Sequence, residues 1–267
     1  MGTKGSYTGG GGAAGNKLRK TIDDWLNELP PTPPRIDQNL PDNQQPIPRL
    51  RPESLLPVIG MFRPATGHAD GPGGAGGNAG RGTPGASHGG GAQRTTTRSA
   101  NTAGRAAAAA FGLRTGNTAV LRELGLDYAS LRANPDPIDV TRQIVAAACG
   151  PLPDGTIEDE EQRVVAAMVA EWILESDADG APPSPEEVVR EAITRIIFEA
   201  ASSETAARLR KGERPEWASE EAERQLLEIA HALALRAPLS ATGPTAEEFS
   251  RAIENGIEAM RLIQGAS

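Results

Sequence analysis

The sequence predicts an all-α protein, a helical bundle preceded by a long Gly/Pro-rich, largely disordered N-terminal region. Three observations predict it. From about residue 101 onward apolar residues recur at helical spacing, and no alternating strand pattern of useful length interrupts them. Residues 1–105 hold 21 of the 31 Gly and 12 of the 22 Pro, a density at which chain entropy outweighs burial. Charge divides at the same place: residues 1–105 carry 12 Lys/Arg against 7 Asp/Glu and residues 106–267 carry 15 against 28, for a net charge of −8 over 267 residues. With 38% hydrophobic but only 3% aromatic residues, the core must be assembled from Ala, Leu, Ile and Val. Roughly 160 residues suffice for one such domain.

Residues 1–16 read as a flexible Gly-rich arm. Residues 17–29 read as a short amphipathic helix, with Thr21 and Asp24 as a capping pair and Ile22, Trp25, Leu26 and Leu29 on one face. Pro30, Pro31, Pro33 and Pro34 stop it. A helix this short cannot bury its own stripe, so it docks on the helical domain or on another protein. Trp25 and Leu26 are therefore candidate partner contacts. Residues 30–100 read as a linker, within which the apolar island 55–62 is a candidate docking patch. Ordered structure is expected from residue 101, which opens an acidic α-helical domain reaching residue 267.

In that domain helices are predicted over 101–113, 117–124, 137–149, 158–176, 185–199, 204–211, 219–237 and 246–264. Capping pairs mark three starts: Thr156/Asp159, Ser184/Glu187 and Thr245/Glu248, the second with Pro185 at the first helical position. The buried stripes are Val165, Met168, Val169, Trp172 and Ile173, then Val189, Ala192, Ile193, Ile196 and Ile197. Leu226, Leu227, Ala230 and Leu233 continue the pattern, followed by Phe249, Ile253, Ile257, Met260 and Ile263.

Chemistry-bearing residues are sparse. Of three histidines, His68 and His88 fall in the linker, and His231 reads as a helix-surface or boundary residue. The single cysteine, Cys149, excludes an internal disulfide and reads as a small buried hydrophobe. The carboxylates Glu158 to Glu161 and Glu220, Glu221 and Glu223 read as solvated first-turn residues. Gly71 to Gly76 satisfies G-x-G-x-x-G without the strand and helix that give that motif its phosphate-binding geometry. Arg81, Arg94, Arg98 and Arg105 form a basic front without aromatic interleaving, ahead of an acidic domain that repels polyanions. No catalytic constellation, cofactor site or metal site emerges, which predicts a non-enzymatic protein. With no apolar leader at the start and no apolar stretch long enough for a bilayer, a cytoplasmic location without membrane insertion is expected.

Met1-Gly2 followed by Ser6 fits the acylation pattern loosely, and Lys4 alone is no polybasic partner for a lipid anchor. The small Gly2 also predicts removal of Met1, leaving a glycine α-amine accessible to a modifying enzyme. The opening Met1-Gly2-Thr3, Ser6-Tyr7 and Gly9-Gly10, followed by the Gly-rich arm and the Trp25-Leu26 helix, resembles the B component of the Qat anti-phage defence systems. Residues 121–136 and the helix reaching Ala148-Cys149-Gly150-Pro151 are similar in style to that family's helical domain. The resemblance implies a non-enzymatic adaptor working with a P-loop ATPase, an enzyme similar to deazaguanine synthases and a TatD-like nuclease. It also implies that Gly2 is modified and that Thr3, Ser6 and Tyr7 are its recognition context. The competing reading is an acidic immunity or inhibitor protein that covers a basic toxin or nuclease. A nucleic-acid-binding tail is the third.

Overall fold

The computed structural model describes residues 12–30, 47–63, 95–150, 157–176, 180–209, 216–239 and 241–265. Among them the chain is almost wholly helical. The elements are α1 (Gly12–Glu28), a 3-10 turn (Pro52–Leu55) running into α2 (Leu56–Ile59), α3 (Thr96–Thr115), α4 (Thr118–Glu123), α5 (Tyr128–Ala133) and α6 (Pro137–Cys149). They continue with α7 (Ile157–Glu175), α8 (Pro185–Leu209), α9 (Glu216–Ala234) and α10 (Ala246–Gly265). No strand forms among the described residues; a single parallel bridge joins Arg63 to Thr95.

The bundle is organised around α3, which packs against α10, α7 and α6. Its alanine run supplies both helix propensity and small side chains, and Ala106, Ala107, Ala108, Ala109 and Ala110 are all fully buried. A cylinder of alanines lets neighbours come close on every side. The closest approach is at Gly104, where an added Cβ would lie 2.6 Å from Ser250 N of α10. Phe249, next to that crossing, meets Phe111 edge-to-face with ring centroids 5.9 Å apart. Gly116, at φ +71°, ends α3 in the left-handed cap that glycine adopts without strain.

Arginines on α3 hold its neighbours' carboxyl ends. Arg105 donates from Nε to Ala148 O at 3.0 Å and from Nη2 to Ala147 O at 2.7 Å, satisfying the terminal carbonyls of α6. Arg114 does the same for α7, donating to Ile173 O at 3.0 Å and to Ser176 O. Each cation also meets the negative end of a helix dipole.

The predicted stripes of α7, α8 and α9 face the core, with Met168, Trp172 and Leu227 half-buried. On α10 the stripe ends at Met260; Ile263, expected inside, is 60% exposed. The capping boxes Ser184/Glu187 and Thr245/Glu248 form reciprocally: each hydroxyl accepts from the glutamate N–H, and each glutamate accepts from the Ser or Thr N–H. The Thr245 hydroxyl and N–H donating to Glu248, and the Ser184 N–H and hydroxyl donating to Glu187, hold both carboxyls below their ordinary range. Asp139, in the first turn of α6, is held at about 2 by the Arg142 guanidinium and the amides of Gln143 and Asn134.

Several expected boundaries move. Predicted helices 185–199 and 204–211 are one continuous helix, α8, because Ala200 and Ala201 are buried and Ser203 donates to Glu161 of α7. Order begins before residue 101, since Thr96 Oγ1 bonds Arg63 O at 3.1 Å and Glu258 Oε1 at 2.8 Å and its N–H donates to Arg63 O. The first helix starts at Gly12 rather than residue 17, so Thr21 lies mid-helix, bonding Lys17 O instead of capping with Asp24. Residues 47–63 are not linker: Leu55, Val58, Ile59 and Phe62 of the apolar island lie in the core. Asp159 and Glu161, expected as solvated or capping residues, are buried, and Asp159 pairs with Arg98. Thr156 and residues 64–94 lie outside the described residues.

Two outcomes follow from this packing. Gly104→Ala drives a methyl into the α10 backbone and should cost about 2 kcal/mol in urea unfolding; an unchanged midpoint would refute the close crossing. Asp139 has a folded pKa below its ordinary 3.8, so its contribution is present above that value and is lost as pH falls toward about 2. Asp139→Asn should therefore be less stable at neutral pH and lose less than the parent on acidification below about pH 4, read from denaturant midpoints across that range.

Candidate functional site

The described residue with the most consequence for organisation is a buried charge. Glu204, on α8, is 1% exposed and receives the guanidinium of Arg19 from α1, whose own side chain is 14% exposed. Gly15 makes room for it: an added Cβ there would lie 2.9 Å from the Glu204 carboxyl carbon. A second pair, Arg208 to Asp23 at 3.4 Å, lies one turn further along α1. Beside the charges, Leu18, Ile22, Trp25 and Leu26 bury the apolar stripe.

The carboxyl end of α1 is fixed by the segment that returns at Ile47. Trp25 Nε1 donates to Pro48 O at 2.7 Å, and the buried Gln225 of α9 accepts from Leu50 N at 2.6 Å while donating to Pro48 O at 3.3 Å. Gln225 thus pairs backbone groups that no secondary structure satisfies. Trp25 and Leu26, expected as contacts for a partner, are 5% and 7% exposed and packed within the chain itself. Of the two docking surfaces open to the first helix, the structure uses the helical domain.

At the amino end of α1 lies an open groove of about 1000 Å³. Ala13, Ala14 and Lys17 form one wall, Glu53, Leu56, Pro57, Gly60 and Arg63 another, and Arg236, Arg261 and Ile263 the third. Lys17, Arg63 and Arg236 are exposed, and among the described residues no carboxylate stands within ion-pair distance of them. Arg261 is paired with Glu258 at 2.7 Å. These four cations come from parts of the chain too far apart for any spacing rule to have gathered them.

A second, smaller pocket of about 550 Å³ is lined by Thr97, Arg98, Asn101, Arg105, Cys149 and Gln162. Its polar groups already serve the fold: Arg98 pairs with Asp159, Arg105 caps α6, and Thr102 bonds Gln162 at 2.7 Å. Of the four arginines of the basic front, Arg98 and Arg105 are thus committed to internal partners. Burial pushes the Cys149 thiol up, away from the thiolate form a reactive cysteine needs. His231 is exposed on α9, as a surface residue should be. Among the described residues no group of three His, Cys, Asp or Glu side chains could hold a metal ion. No described helix is long and apolar enough to cross a membrane.

Gly2, Thr3, Ser6 and Tyr7, with Arg81, Arg94, His68, His88 and the glycine run 71–76, lie outside the described residues. Fold and site together define an all-α bundle with a clamped amino-terminal helix and a cationic groove at that helix's start. No family profile, no curated protein and no solved structure matches the chain.

Proposed function

We propose that this chain is a non-enzymatic adaptor that presents its N-terminal residues to a partner enzyme, as the B component of a Qat-type anti-phage defence complex. The observation that supports this reading is the mounting of α1, held by a buried ion pair, an apolar stripe and the Trp25–Pro48 bond. A terminal segment offered to another protein's active site gains from a root that does not move, because ordering the root beforehand lowers the cost of engagement. The root here is Gly12, at φ +57°. On this reading Gly2 is the group acted upon, Thr3, Ser6 and Tyr7 are read by the enzyme, and the bundle carries the remaining contacts. The partners are a P-loop ATPase, a deazaguanine-synthase-like enzyme and a TatD-like nuclease.

A second reading, an acidic inhibitor of a basic protein, is favoured by one observation. Glu216, Glu220 and Glu223 are exposed at one-turn spacing on α9.

The two are separated by intact mass and N-terminal sequencing of the protein expressed alone and beside its genomic neighbours. The adaptor predicts a neighbour-dependent mass change at Gly2, and loss of phage protection on deleting residues 2–10 while the helical circular dichroism persists. An unmodified glycine in both samples, with protection intact in the deletion, overturns it in favour of the inhibitor.

A further inference from the structure

We infer that the groove at the amino end of α1 is a docking site for an acidic segment of a partner protein, which sets carboxylates against Lys17, Arg63 and Arg236 and an apolar side chain between Leu56 and Ile263. The inference concerns the bundle surface and stands whether or not Gly2 is modified.

The charge pattern carries it. Elsewhere on the surface the exposed arginines Arg142, Arg224 and Arg251 each pair with a carboxylate one turn away on the same helix. Other exposed cations, among them Arg122, Arg132 and Arg163, also lack a carboxylate within ion-pair distance among the described residues; what sets Lys17, Arg63 and Arg236 apart, in a protein of net charge −8, is that they line a single groove. They converge on one groove from α1, from the chain after α2 and from the chain after α9. Cations held around a concavity, outnumbering Glu53, the one carboxylate of its lining, leave a net positive potential that an anionic ligand can use.

The groove is also apolar. Leu56 and Pro57 are half-buried on its wall, Ile263 is 60% exposed at its rim, and Leu262 beside it is 66% exposed. Exposed aliphatics flanked by cations fit a segment that alternates carboxylates with Leu, Ile or Phe, as helix-in-groove ligands do.

The chain's own neighbouring segments do not match. Residues 1–11 carry Lys4 and no carboxylate, and residues 64–94 carry Asp70 against Arg81 and Arg94. Residues 31–46 carry Asp37 and Asp42 against Arg35, a net of −1, and attach beyond Pro30 and before Ile47, at the end of α1 opposite Ala13 and Ala14. An extended polyanionic surface lies against the acidic faces of residues 106–267, net −13, as well as against the cations, and meets that repulsion over its whole contact. A partner peptide, which reaches into the concavity, avoids that cost.

The test is selection of a random display library of peptides about 12 residues long against the full chain and against its Arg63→Glu/Arg236→Glu variant. The expected result is a pool with paired Asp or Glu around an aliphatic or aromatic residue, enriched at least about tenfold less on the variant. The best synthetic peptide should lose affinity by a similar factor on the variant, and lose it again in high salt. If the double variant does not keep its helical circular dichroism, the single Arg236→Glu, at an exposed position, makes the same comparison. A pool without acidic bias, or acidic peptides that bind both proteins equally, overturns the inference. So does sedimentation of the parent with phosphatidylserine-containing vesicles, or retention on duplex DNA, that the variant abolishes.

Discussion

Glu204 is the point on which the arrangement turns. A carboxylate with almost no exposure is tolerable only where a cation meets it, and that cation, Arg19, belongs to a helix nearly two hundred residues away in sequence. Removing either partner leaves a buried charge uncompensated, so the pair specifies where α1 lies as well as that it lies on α8. Gly15 is part of the same device, because any larger residue would occupy the volume taken by the carboxylate. Once α1 is set, Trp25 reaches Pro48, Gln225 takes the backbone of residues 48 and 50, and the apolar island 55–62 closes over the core.

The second constraint is steric. An aromatic content of 3% leaves few large side chains to bridge helices, and α3 answers with alanines that let its neighbours approach it closely. Close approach brings carboxyl-terminal carbonyls of α6 and α7 within reach of Arg105 and Arg114, so each of the two cations completes one helix end. The protein uses its basic residues twice over: inside, to satisfy carbonyls and carboxylates, and at the mouth of one groove, where three gather with no carboxylate within ion-pair distance among the described residues.

Much of the architecture is legible in the sequence because it is periodic. The stripes of α7 to α10 repeat at helical spacing, and the capping boxes at Ser184 and Thr245 are local patterns that the structure forms as written. Misreadings occur where a distant partner overrides local preference. Residues 12–16 look too rich in glycine for a helix, yet Gly15 is helical because Glu204 needs the space. The small residues near 200–203 look like a break between helices, yet Ala200 and Ala201 pack in the core and Ser203 bonds Glu161. Asp159 looks like a first-turn residue, and only the fold supplies Arg98. The groove was invisible for the same reason: Lys17, Arg63 and Arg236 share no spacing, and only the topology assembles them.

The account rests on α1 being held by the Arg19–Glu204 pair, and a double-mutant cycle tests this most directly. Arg19→Met, Glu204→Gln and the double variant are compared with the parent by denaturant unfolding, with hydrogen exchange across residues 12–28 as the local readout. A coupling energy of about 2 kcal/mol or more, with each single variant raising exchange in α1, is predicted. Additive effects within about 0.5 kcal/mol, with α1 equally protected in all four proteins, would contradict it.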